Sequence, residues 1–113
     1  MEKILLDDLK NYMARNFAGT SWYSAIDSVN VKVDVRRRKF SVMAQTQLYP
    51  GPDAETPARH IPMALQGWVV HISGEHNLKV TRVGVRGTRA GRAVELRTWD
   101  NIFGWRDRQV PIA

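Results

Sequence analysis

Three histidines, eleven carboxylates and no cysteine are the raw material for catalysis in this chain of 113 residues. Without cysteine there is no thiolate metal site, no cysteine nucleophile and no structural disulfide. His60, His71 and His76 could in number form a zinc site, but none has a partner at i, i+4 on a firmly readable helix. A serine, a histidine and an aspartate are all available, yet no GxSxG elbow places a nucleophile. Asp53 and Glu55 fall in a proline-rich stretch, where carboxylates are ordinarily solvated. RGTRAGR, residues 86–92, is basic and glycine-containing but lacks the GxxxxGK[ST] order of a phosphate loop, and it joins two strands. No catalytic residue, metal ligand or cofactor is assigned.

The chemistry that remains belongs to the cations. Arg36, Arg37, Arg38 and Lys39 lie together, and Arg86, Arg89 and Arg92 form a second cluster. Residues 35–48 carry +4 and residues 76–97 a net +5, so the rest of this +6 chain sums to −3. Localised positive charge points to nucleic acid or an acidic protein surface as partner. Arginine outnumbers lysine in both clusters, which suits bidentate contact with phosphate or carboxylate. The competing reading is two solvated loops whose charges discourage edge-to-edge aggregation.

The elements that must position these cations are legible in part. Leu5, Leu9, Met13 and Phe17 recur every fourth residue, predicting a helix over 2–18, with Gly19 as its left-handed stop. TSWYSAID, residues 20–27, reads as a connection anchored by Trp22. Val29, Val31, Val33 and Val35 alternate with polar residues, and the alternation resumes at Phe40, Val42, Ala44, Thr46 and Leu48. Pairing Val35 with Phe40 keeps every inward residue opposite another, so the hairpin 29–48 needs an even loop, residues 36–39. Residues 49–60 read as a loop that includes three prolines. Residues 61–73 carry Pro62, Gly67 and the run GWVVHI, and read as a strand. A helix there is the alternative, and it would give two successive helix-plus-hairpin units. Residues 77–99 form a second hairpin with a bulge near Thr81 and a wide tip opened by Gly87 and Gly91. The tail, 100–113, carries Ile102, Phe103 and Trp105 and should pack back on the domain or on a neighbour.

One domain of the α+β class follows: an N-terminal helix on a curved antiparallel sheet of about five strands. Its element order resembles that of cystatin-type and NTF2-like half-barrels, and the resemblance extends to element order alone. The expected function is non-catalytic binding of a polyanion, most simply a nucleic-acid backbone, through the two arginine-rich tips. Two other readings stand beside it. One is a homo-oligomeric assembly subunit, of a phage or secretion machine for instance, joined through a sheet edge or residues 101–113. The other is a small-ligand or enzyme pocket between helix and sheet, lined by Tyr12, Trp22, Trp68 and His71. No apolar run reaches the roughly 20 residues of a membrane span. The acidic start, MEKILLDDLK, is unlike a signal peptide, so a cytoplasmic protein is expected, or a periplasmic one had a leader or anchor been removed.

Overall fold

A computed structural model describes residues 1–107. The chain runs α1 (Glu2–Phe17), a 3₁₀ turn (Tyr23–Ala25), β1 (Ile26–Asp34), β2 (Lys39–Thr46), a second 3₁₀ turn (Pro52–Ala54), α2 (Glu55–His76), β3 (Lys79–Arg89), β4 (Arg92–Asp100) and β5 (Gly104–Asp107). The strands form one open sheet in the order β1-β2-β3-β4-β5. Register breaks in three of its pairings mark bulges, which bend and coil strands. The α+β class and the five strands agree with the sequence reading, though one strand differs. Residues 61–73 are helical, and the fifth strand is β5, formed by the tail folding back on β4. Residues 108–113 of the expected 100–113 tail lie outside the described residues.

Helix α2 is the main correction. It begins at Glu55, inside the expected 49–60 loop, and continues through Pro62 and Gly67. Pro62 does remove a backbone donor, as expected. Burial outweighs that cost: Ala58, Ile61, Leu65, Trp68, Val69 and Ile72 fall on one helical stripe and are buried. Because α2 carries the chain back across the sheet, β2 and β3 run parallel. Three of the four pairings are antiparallel, and this central one is not. Both helices cover one face. Leu5, Leu9 and Met13 of α1 join Val31, Phe40, Val42, Ala44, Val83, Val85 and Leu96 in the core with α2. Trp68 is wholly buried, and its indole donates to Asp8 Oδ2 at 2.8 Å, tying α2 to α1. Helix α1 ends at Phe17, whose carbonyl accepts from both the amide and the hydroxyl of Thr20, at 2.9 and 2.7 Å. Gly19 is not left-handed and plays no such stopping role. Trp22, buried against Phe17 and stacked on His60, anchors a connection shorter than the expected 20–27, because β1 already begins at Ile26.

The first hairpin keeps its parity but slides by two. Val33 faces Phe40, Val31 faces Val42 and Val29 faces Ala44. The loop holds four residues, 35–38 rather than 36–39, and Val35 leaves the core to become 55% exposed. The slide costs no buried surface elsewhere, because a two-residue shift preserves faces. It lets Asp34 Oδ1 accept from the Arg37 amide at 3.1 Å within the turn. In the second hairpin the bulge at Thr81 is present, between the partners of Phe40 and Ser41, and it reverses the parity from Val80 to Val83. Its tip is tighter than expected. Arg89 faces Arg92 across two left-handed residues, Ala90 (φ 51°) and Gly91 (φ 76°).

Gly87 lies within β3, not at the tip. A Cβ there would collide with the Leu48 carbonyl oxygen and crowd Leu96. That approach exists because β2 continues past its ladder: Thr88 N donates to the Leu48 carbonyl at 2.8 Å, and Thr46 Oγ1 to the Arg86 carbonyl at 2.8 Å. At the free edge of β1, the Val33 amide donates to Glu2 Oε2 at 2.9 Å. Among the described residues no helix is long and apolar enough to cross a membrane. Gly87→Ala should lower unfolding free energy by about 1–3 kcal/mol, read as a lower urea midpoint at unchanged slope. An unchanged midpoint would show that β3 can move away from Leu48 without cost.

Candidate anion-binding surface

The two arginine-rich turns lie at opposite ends of the sheet. Because β2 and β3 are parallel, the 35–38 turn sits where β3 begins, with Lys39 beside Lys79. The other turn sits where β3 ends. At about 3.3 Å per residue the 11 residues of β3 separate them by roughly 33 Å. The turns therefore cannot close on one point as a clamp.

The first turn also spends part of its charge on the fold. Arg38 takes a left-handed conformation, φ 56°, unusual for a residue with a side chain. Its guanidinium donates to the carbonyls of His76 at 2.5 Å and Asn77 at 3.0 Å, at the C-terminus of α2. It thereby satisfies helix-end acceptors at the negative pole of the helix dipole. Arg37 lies 3.9 Å from Asp34 in a solvent-exposed pair. Arg36 and Lys39 are exposed. At the second turn Arg89 lies over the Tyr49 ring at 6.0 Å, and Arg92 is exposed. Arg86 is not at a tip. It stands three residues inside β3, opposite Glu95.

Strand parity shows where Arg86 belongs. Val31, Val42 and Val83 point to the helices, so their neighbours point away. Lys32, Ser41 and Arg82 stand in one cross-strand row on that uncovered face, Asn30, Met43 and Gly84 in the next, and Gln45 beside Arg86 in a third. Asn30, Lys32, Ser41, Met43, Arg82 and Arg86 line a cavity of about 210 Å³. Between Arg82 and Arg86, Gly84 is packed closely by its neighbours: a Cβ there would lie 2.9 Å from Thr98 Oγ1 and 3.1 Å from Met43 Cε. Arg82 has a carboxylate nearby, Glu95 at 3.6 Å. The charge is thus a row along β3, with one turn at each end. Lys32 and Arg82 were outside the expected site. Their alternation was visible, but their meeting depends on the parallel pairing, which the reading of 61–73 as a strand concealed.

The β4–β5 turn borders this row, since Asp100 faces Arg82 across the sheet. Asp100 Oδ1 accepts from the amides of Phe103 at 2.7 Å and Ile102 at 2.8 Å, and Oδ2 accepts from Arg106 Nη2 at 2.7 Å. The Phe103 amide first, then the Ile102 amide and Arg106, hold the Asp100 carboxyl below its ordinary value, against an opposing pull from desolvation. The guanidinium of Arg106 lies over the Phe103 ring at 5.2 Å. Arg97 and Trp105 pair at 4.8 Å on the other, helix-bearing face, where Arg97 lies opposite Val85.

The expected aromatic pocket does not assemble. Trp68 is core, Trp22 packs on Phe17 and His60, and Tyr12 sits over Gly67 with its hydroxyl where a Cβ would be. His71 is 67% exposed and pairs with Glu75 at 2.9 Å. A cleft of about 420 Å³ does run between α1 and β1, but other residues line it, including Lys10, Asn11, Tyr23 and Asp27. Among the described residues no group of three or more potential ligands could hold a metal ion. Comparison with protein-family models, curated proteins and solved structures finds no match to this chain.

Asp100 supplies a pH-dependent element. A depressed folded-state value means its contribution is fully present above the ordinary 3.8 and is lost as pH falls through the lower folded value. An NMR titration should show the Ile102 and Phe103 amides shifting together with a midpoint below 3.8, and Asp100→Asn should abolish that shift. A midpoint at or above 3.8 would mean that the turn does not hold the carboxylate.

Proposed function

We propose that this protein is a non-catalytic binding protein that holds a nucleic-acid backbone along the uncovered face of its sheet. The observation that carries this reading is the row of Lys32, Arg82 and Arg86 around one cavity, continued at the start of β3 by the exposed Lys39 and Lys79. A backbone lying along β3 on this face meets Lys39 and Lys79 first, then Lys32 and Arg82, and last Arg86, whereas Arg89 and Arg92 share the parity of Val85 and belong to the other face. The residues between the cations include Ser41 and Asn30, which can donate to phosphate or sugar oxygens. Lys32→Ser, Arg82→Ser and Arg86→Ser together should weaken binding of a single-stranded oligonucleotide at least tenfold. They should also flatten the slope of log K against log salt by about 2, at roughly 0.7 per lost phosphate contact. Circular dichroism checks that the variant is folded. Unchanged affinity and slope, or no binding of DNA or RNA by the wild-type chain, would overturn the reading.

A second reading, homo-oligomerisation, is favoured by one observation: Ile102 is 78% exposed beside β5, an edge strand among the described residues. Light scattering should then report a dimer that Ile102→Asp returns to a monomer. A monomeric wild-type chain removes this reading.

A further inference from the structure

We propose that the ring of Phe103 is a stacking platform for an unpaired base, so that the bound nucleic acid is single-stranded. The inference rests on the reading of the open face as a nucleic-acid site and deepens it. Phe103 is 71% exposed, although it sits in a turn closed by hydrogen bonds. The turn itself does not need an aromatic side chain. Its backbone is fixed by Asp100 Oδ1 accepting from the Ile102 and Phe103 amides and by the left-handed Gly104, φ 73°. Any residue with an amide would serve at position 103. What the side chain gains is Arg106, whose guanidinium lies over it at 5.2 Å and is itself held by Asp100 Oδ2 at 2.7 Å. One side of the ring is thus occupied by a fixed cation, and most of the ring surface remains open to solvent. A planar base fits that arrangement, with stacking on the ring reinforced by the neighbouring guanidinium.

Position makes the platform part of the row. Arg82 lies opposite Asp100 across the β3–β4 pair, so the Phe103–Arg106 unit flanks the Arg82 end of the cavity. A strand with its backbone on Arg82 can turn a base sideways onto Phe103. A base inside a duplex is stacked on its neighbours and cannot do so without unpairing. The uncovered faces of β1 and β2 carry no aromatic residue, so the β4–β5 turn brings to this face the ring that the first hairpin lacks.

The test uses the full chain and three probes: inorganic polyphosphate, oligo(dT), and a duplex of the same length. Phe103→Ala and Phe103→Leu should each lower affinity for oligo(dT) by roughly 5- to 150-fold, the effect of one lost base stack. Both should leave polyphosphate binding unchanged, and Phe103→Tyr should restore oligo(dT) binding. The wild-type chain should prefer oligo(dT) to duplex. If oligo(dT) and polyphosphate both bind but Phe103→Ala loses nothing, the platform is refuted and the cation row survives. If neither probe binds the wild-type chain, the cation row fails and the platform falls with it. If Phe103→Ala weakens polyphosphate as much as oligo(dT), the ring acts on the shape of the turn and the platform is again refuted.

Discussion

The parallel pairing of β2 with β3 sets the plan of this molecule. A hairpin cannot make it; the chain must leave the sheet after β2, cross one face and return to the same end. The crossover is α2, and its buried stripe closes the core over β3 and β4. Everything else about the surface follows from that route. Both helices end on one face, the other stays bare, and the two charged turns are carried to opposite ends. The pairing is reinforced where β2 leaves it. Thr46, Gln45 and Thr88 exchange side-chain hydrogen bonds with the backbone around Gly87, extending the contact beyond the regular ladder.

How much of this was legible depended on whether the governing interactions were local. The stripe Leu5, Leu9, Met13 and the alternation of Val29, Val31 and Val33 are one-dimensional patterns, and both produced the expected elements. The bulge at Thr81 could be read because it reverses parity within one strand. Helix α2 was obscured by Pro62 and Gly67, whose local preferences oppose a helix and are overridden by a stripe that only the finished core rewards. Mistaking it for a strand hid the parallel pair and, with it, the row of Lys32 and Arg82. Of the expected site, Arg36, Lys39 and Arg92 stand exposed at the turns. Arg38 was the residue least readable in advance, since its partners are carbonyls 38 and 39 positions away.

Arginine has several roles here, and the sequence cluster alone did not separate them. Arg38 binds helix-end carbonyls, Arg106 bridges a carboxylate and a ring, and Arg97 lies over Trp105. Each uses the planar, delocalised charge in a way that lysine would not reproduce. Arg82 and Arg86 differ because strand parity aims them away from the core and into a shared hollow. Net charge located the clusters, whereas pairing geometry determined which cations face outward together.

The hydrogen bond from the Val33 amide to Glu2 has a consequence for how copies of this sheet could meet. A strand approaching β1 finds the Val33 end of that edge, next to the 35–38 turn, already occupied by the first residue of α1. The edge at β5 has no such stopper among the described residues. A sheet that can be extended on one side only cannot propagate. Two copies joined through that side would form a closed pair related by a two-fold axis, and the stoppered edges would face outward and end the assembly there. In such a pair a single carboxylate near the start of the chain would act as a terminator of strand-by-strand addition.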